Sequence, residues 1–171
     1  MQPASFVQTL PFRKKPRRGQ LQVIEAAAEP GISQLNVAMP TGYGKTFTYV
    51  ATYSLLKRRG RVNRLLVIFP TEKQRDQFVA DGPSDLADAA VEGPLAVTDI
   101  NYVGVSALRA HRMNKSQAFA ITIQSLVQSA GSELVHELLT TGQWMVVVDE
   151  HHHYGAEKQW GKAALALPRQ F

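Results

Sequence analysis

Met39-Pro40-Thr41-Gly42-Tyr43-Gly44-Lys45-Thr46 is the stretch whose reading decides the fold. Before it, Gln34-Leu35-Asn36-Val37-Ala38-Met39 reads as a short buried strand. After it, Thr46 to about Arg59 reads as a helix with Phe47, Val50, Ala51, Leu55 and Leu56 on its apolar side. A strand, a glycine-bearing turn and a helix beginning at Lys-Thr make a phosphate site. The amides of the turn point inward, the helix N-terminus carries partial positive charge, and Lys45 can reach the β- and γ-phosphates of a nucleotide. Thr46 is placed to offer its hydroxyl to a magnesium ion. The fit to G-x-x-x-x-G-K-[ST] is incomplete, because Met39 stands where the first glycine belongs and Gly42 supplies a glycine two residues before Gly44. The alternative for this stretch alone is a glycine-rich turn with an exposed lysine.

Working outward, 171 residues with 44% hydrophobic and 19% charged content describe one globular domain with room for a substantial core. No apolar run approaches a membrane span, and the N-terminus lacks the apolar segment of a signal peptide. The absence of cysteine excludes disulfides and thiolate metal sites and fits an intracellular, cytoplasmic protein. The net charge of +5 is unevenly spread: residues 1–64 hold 11 Lys/Arg against 2 Asp/Glu, and residues 65–171 hold 8 against 12. The excess concentrates in Arg13-Lys14-Lys15-Pro16-Arg17-Arg18 and in Lys57-Arg58-Arg59-Gly60-Arg61 with Arg64. Such clusters suit a polyanion such as nucleic acid. They equally suit a solvated basic tail and a helix C-terminus, where the dipole favours cations.

Along the chain, residues 1–16 form a basic, irregular N-terminal segment, and residues 17–171 form the folded domain. Gln20 to Glu29 reads as a helix with Leu21, Ile24, Ala27 and Ala28 on one face, stopped by Pro30-Gly31. Leu65-Leu66-Val67-Ile68-Phe69 is a continuous apolar run, as in a parallel strand buried on both faces. Thr71 is the expected N-cap of a helix from Glu72 to about Ala80, with Phe78 and Val79 turned inward; Asp81-Gly82-Pro83 is expected to break it before a second helix from Ser84 to Val91. Leu95 to Val97 and Tyr102 to Val105 are weaker strand candidates. Ala118 to Ile123 is a better one, followed by a helix from Gln124 and another over Glu133 to Leu139. Trp144-Met145-Val146-Val147-Val148 is the strongest strand and ends abruptly at Asp149-Glu150; a short helix is expected around Gln159 to Ala166. Strands alternating with helices imply a mainly parallel sheet covered on both faces, whose ligands bind beyond the carboxyl ends of the strands. The glycine turn, Pro70-Thr71, Thr122 to Ser125 and Asp149-Glu150 all follow expected strands, so all four gather at one sheet edge.

Asp149-Glu150 supplies what a phosphate loop lacks. A carboxylate at a strand end can hold magnesium through water, and its neighbour can orient the attacking water. Asp149 is assigned to the metal and Glu150 to the water as general base. His151-His152-His153 raises the question of zinc, since imidazole is the commonest metal ligand. Three adjacent residues rarely converge on one ion, however, and the preferred reading has His152 alone facing the nucleotide site.

Together these residues resemble the first RecA-like domain of a superfamily-2 DExH helicase or translocase. Pro40 to Thr46 matches that family's motif I, in which the leading glycine is commonly replaced, and Asp149-Glu150-His151-His152 matches its motif II box. Phe69-Pro70-Thr71 looks like motif Ia, and Thr122-Ile123-Gln124-Ser125-Leu126 looks like motif Ib. Arg17 and Gln20 resemble an adenine-recognising Arg-x-x-Gln, with Arg18 and Gly19 where the family has a proline and an aromatic or histidine. The Gln-Ser-Leu form and the histidine-rich box are most similar to the helicase-like subunits of type I and type III restriction systems, and the resemblance runs from about Arg17 to the end.

The resemblance implies a three-layer α/β, RecA-like P-loop NTPase domain with a mainly parallel sheet, incomplete at its C-terminus. It implies ATP and Mg2+ as cofactors and an ATP hydrolase or helicase as the whole protein. Arg17, Gln20, Pro40, Thr41, Gly42, Tyr43, Gly44, Lys45 and Thr46 would hold the nucleotide, with Lys45, Glu150 and His152 as catalytic residues and Thr46 and Asp149 at the metal. Thr71, Thr122 and Gln124 would contact a nucleic-acid backbone, DNA by analogy with RNA as the alternative. In the family a Ser-Ala-Thr motif III and a second RecA-like domain with an arginine finger follow. The sequence stops before these, so the expectation is a fragment that holds ATP·Mg but turns it over poorly alone. A nuclease or modification subunit is a further expected partner. Two readings of other classes stand beside this one: a small-molecule kinase or nucleotide switch with a phosphate loop, and a non-catalytic nucleic-acid-binding module.

Overall fold

The computed structural model describes residues 15–32, 35, 37–39, 43–89, 97–99, 118–127 and 142–149, with the side chains of 81–89, 97–99 and 127 left aside. These residues fall into two compact units. The first holds the described residues through Arg61 together with 84–89. The second holds 62–83, 97–99, 118–127 and 142–149.

In the first unit, α1 spans Arg18–Ala28 and α2 spans Lys45–Arg58. Helix α1 buries Gln20, Ile24 and Ala28, one residue per turn, and Pro30 with Gly31 at φ +85° follows its end. Leu21 and Ala27 flank that stripe half-buried. Helix α2 is buried further round than its apolar stripe requires, for Thr48, Thr52 and Tyr53 are buried along with Phe47, Val50, Ala51, Leu55 and Leu56. The two threonines tolerate this because each hydroxyl donates to a carbonyl one turn back, Thr48 Oγ1 to Gly44 at 2.8 Å and Thr52 Oγ1 to Thr48 at 2.8 Å. Between the helices a strand is expected over Gln34 to Met39, of which Gln34 and Asn36 lie outside the described residues. Leu35 and Val37 to Met39 lie outside any ladder, and Leu35 is 41% exposed. A run that alternates polar and apolar residues has less burial to gain from a central ladder than the continuous run at Leu65 to Phe69.

Among the described residues, the second unit is built on a four-stranded, all-parallel sheet of order β2-β3-β1-β4. Its strands are β1 (Arg64–Phe69), β2 (Val97–Asp99), β3 (Ala118–Thr122) and β4 (Trp144–Val148). The expected strands at Leu65 to Phe69 and Trp144 to Val148 are present, β3 stops one residue short of the expected Ile123, and β2 begins only at Val97. Central β1 and β3 are buried throughout from Leu65 and Ala118 onward, whereas β4, at an edge, is half-buried with Val146 37% exposed. Ring contacts between Phe69 and Phe78 (centroids 5.3 Å apart) and between Phe119 and Trp144 (5.4 Å) anchor the packing. Gln143 starts β4 in register: its carbonyl accepts from the Asn63 and Arg64 amides, and its own amide donates to Asn63 Oδ1 at 3.0 Å.

Helix α3 (Glu72–Ala89) follows β1, and the short helix α4 (Ile123–Val127) follows β3. The break expected at Asp81-Gly82-Pro83 is absent, and α3 runs through it as one helix. Proline's fixed φ is helical; its cost is one missing amide and crowding of the preceding turn, which tertiary context can override. The expected elements at 102–105, 133–139 and 159–166 lie outside the described residues.

Candidate nucleotide-binding site

In the first unit, the loop exit and the start of α1 are tied together. Gly44 is the N-cap of α2 and adopts a left-handed backbone, φ +84°, ψ +50°, a conformation that costs a residue with a Cβ. An added Cβ would also stand 2.5 Å from Gln20 Nε2, so the Gln20 amide would have to move. The Gly44 carbonyl accepts from Thr48 N–H at 3.1 Å, from Thr48 Oγ1 at 2.8 Å and from Gln20 Nε2 at 3.1 Å. Lys45 and Thr46 then form the first turn of α2, both half-buried. The amides that open a helix have no carbonyl one turn back to bond and the dipole adds positive potential, so an anion is favoured at such a terminus. Tyr49 Oη approaches Thr46 Oγ1 at 3.5 Å.

Across from the loop, Gln20 uses both ends of its amide. Its Oε1 accepts from Arg17 N–H at 2.8 Å, and its Nε2 donates to the carbonyls of Tyr43 at 3.0 Å and Gly44 at 3.1 Å. Tyr43 reaches back: its phenol oxygen accepts from Gly19 N–H at 3.3 Å, and Arg17's guanidinium lies 5.4 Å from its ring centroid. The structure thus brings Arg17, Gln20, Tyr43 and Gly44 together, followed directly by Lys45 and Thr46. The sequence placed Tyr43 in the nucleotide-binding set but did not show its bond to Gly19, nor the reason for Gly19. A Cβ at position 19 would lie 2.9 Å from the Tyr43 ring, so the missing side chain is what admits the phenol.

In the second unit, three strand ends carry polar groups to one edge. Phe69 pairs with Thr122 and Ile68 with Val148, so Thr122 ends β3 and Thr71 and Asp149 follow the carboxyl ends of the strands on either side of that register. Thr71 caps α3 as expected, its hydroxyl accepting from Gln74 N–H at 3.3 Å and donating to Gln74 Oε1 at 3.2 Å. Thr122 does the same for α4, with Ser125 N–H at 3.3 Å and Ser125 Oγ at 3.1 Å. The two differ in access. Thr71 is exposed; Thr122 is 1% exposed, and the residue α4 presents outward is Gln124. Asp149 is half-buried at the end of β4, its amide bonded to the Ile68 carbonyl at 2.9 Å. Pattern reading also missed Arg75, fully buried one turn into α3 with Nε and Nη2 on Asp76 Oδ1 at 3.0 and 2.8 Å.

The basic cluster after α2 has a structural use. Arg61 Nη1 donates to the Ala27 and Ala28 carbonyls at 3.4 and 3.1 Å, and its Nη2 to Ile32 at 3.2 Å; Arg59 Nη1 donates to Ala28 at 3.2 Å. These arginines close the C-terminal end of α1, where carbonyls lack helical partners. Pro40, Thr41, Gly42, Glu150 and the three histidines lie outside the described residues. Among the described residues, no helix is long and apolar enough to cross a membrane.

Searches of the curated proteins and of the solved structures gave no match. The family model described as "Type III restriction enzyme, res subunit" matches residues 13–171. That span takes in Gly44-Lys45-Thr46 at the start of α2, the capped strand ends and Asp149. The chain belongs to the type III restriction enzyme res-subunit family, as a superfamily-2 helicase-like, ATP-binding domain with a RecA-like α/β fold.

Proposed function

We propose that this chain is the ATP-binding first domain of a DNA-dependent superfamily-2 motor of the restriction type. The observation that carries the reading is Gly44, left-handed and cross-linked to Gln20, opening a helix whose first residues are Lys45 and Thr46. Lys45 with the amides of the first turn takes the phosphates, and Arg17, Gln20, Pro40, Thr41, Gly42 and Tyr43 complete the nucleotide-binding set. A hydroxyl and a carboxylate are the hard oxygen donors that Mg2+ takes, which supports assigning the metal to Thr46 and Asp149. The metal would neutralise charge on the phosphates; Glu150 would orient water as general base, with His152 facing the nucleotide. Exposed Thr71 and Gln124 are proposed to meet a nucleic-acid backbone, and buried Thr122 supports that role by starting α4. DNA over RNA rests on the family, as does a second RecA-like domain in cis supplying the arginine finger, and a nuclease or modification subunit as partner.

Titration of a fluorescent ATP analogue tests the site: Lys45→Ala is expected to abolish binding, and unchanged affinity would sink the reading. In the protein carrying a second RecA-like domain, DNA is expected to stimulate ATP hydrolysis, and Glu150→Gln to keep binding while losing turnover. No stimulation by any nucleic acid would move the kinase-like class ahead.

A further inference from the structure

Arg75 is 1% exposed, and its amide bonds back to the Thr71 carbonyl at 3.2 Å where α3 opens. A guanidinium taken out of water needs a counter-charge. One is its own neighbour: Nε and Nη2 both donate to Asp76 Oδ1, at 3.0 and 2.8 Å. Successive helical side chains leave the axis about 100° apart, so residues at i and i+1 do not ordinarily meet. Here they do, and the Asp76 carboxylate, 53% exposed, folds back onto the buried cation.

What the pair does for the surface follows from the charge balance. Beside Thr71, the opening turns of α3 expose Glu72, Lys73 and Asp76. Glu72 and Lys73 cancel, and the helix N-terminus adds roughly half a positive charge. Asp76 without a counter-ion would bring that sum to roughly half a negative charge, and a phosphate near Thr71 would be repelled. Arg75 returns it to roughly half a positive charge, so this one residue decides the sign. It does so from the interior, where a close ion pair is screened far less than one in water. The surface on which a polymer would lie stays clear of the arginine itself.

We propose that the opening turns of α3 accept a nucleic-acid backbone because Arg75 offsets the Asp76 carboxylate from beneath, which makes Arg75 a positioning residue for that interface. This rests on the nucleic-acid reading of Thr71 and Gln124. The consequence is a DNA affinity that follows the charge difference between residues 75 and 76 rather than the packing of either side chain.

The test is a fluorescence-anisotropy titration of a labelled DNA duplex with wild type, Arg75→Met, Asp76→Asn and the double variant, at low and at high salt. Arg75→Met is expected to weaken binding and Asp76→Asn to tighten it, each by about two- to tenfold at low salt, the scale of one unit charge near a phosphate in water. The double variant removes both charges and is expected to return to wild-type affinity. These differences are expected to shrink at high salt, where exposed charges are screened. Lost packing under α3 would persist in the double variant and at every salt concentration. Glu72→Gln alters an exposed charge, and it is expected to tighten binding on the same scale even where an Arg75 variant does not fold. Unchanged affinity in both Asp76→Asn and Glu72→Gln overturns the proposal, as does a double variant no better than Arg75→Met. A wild type that binds no DNA at low salt overturns the nucleic-acid reading and the proposal with it. Failure of the charge balance alone leaves wild-type binding, and its weakening in Gln124→Ala, intact.

Discussion

The amide of Asp149 donates to the carbonyl of Ile68 at 2.9 Å, carrying the β1–β4 pairing one residue past the end of β4. The backbone of Asp149 is therefore held by the sheet at the carboxyl end of β4. Asp149→Asn keeps that backbone bond and the size of the side chain, so the chain is expected to stay folded in a urea titration. The Mg2+ concentration needed for binding of an ATP analogue is expected to rise by roughly ten- to a hundredfold, the usual cost of an outer-sphere metal partner. A Mg2+ titration that overlays wild type would remove Asp149 from the metal site.

Arg61 reaches three carbonyls around the end of α1 through one guanidinium. Arg61→Ala is expected to destabilise the chain by about 1.5–3 kcal/mol, as for hydrogen bonds to a charged group, visible as a lower denaturation midpoint. Arg61→Lys keeps the charge without the planar fork and is expected to recover only part of that loss. Full recovery by lysine would mean that charge, not geometry, closes the helix.

Thr71 and Thr122 perform the same capping, but only Thr122 is buried. Replacing either by alanine is expected to cost about 0.5–2 kcal/mol through the lost cap. Thr122 belongs at the upper end, because the Ser125 hydroxyl loses a partner in a part-buried site. Gln124→Ala, on the exposed side of α4, is expected to leave stability unchanged and to weaken retention on a DNA column. Stability loss in Gln124→Ala, or unaltered retention, would count against its role at the nucleic-acid interface.

Ile68 and Val146 are both apolar strand residues, one 0% and the other 37% exposed. Ile68→Ala in central β1 is expected to cost about 2–5 kcal/mol through lost burial and a residual cavity. Val146→Ala at the sheet edge should cost well under half of that. Equal losses in urea titrations would show that Val146 is covered in solution.

Local pattern carried much of this molecule. Continuous apolar runs announced β1 and β4, since strands buried on both faces need no alternation. Thr71 was legible as a cap from the polar helix beginning beside it. The same reasoning over-read Gly82-Pro83, where α3 continues, and the mixed run in which Leu35 and Val37 to Met39 join no ladder. Propensity and short apolar runs are weak evidence until a partner surface decides the matter.

What the sequence by itself determined is the chemistry on offer: a glycine turn ending in Gly-Lys-Thr, a strand ending in Asp-Glu, and the family to which those motifs belong. These are local patterns, and a short span of chain suffices to state them. What only the tertiary structure decided is how residues distant in sequence use their hydrogen bonds. Gln20 spends its amide on the Tyr43 and Gly44 carbonyls, Gly19 makes room for the Tyr43 phenol, and Arg59 and Arg61 close α1. The physical reason is that a polar group drawn wholly or partly out of water must find a partner, and which partner it finds depends on the packed neighbours and not on its place in the chain.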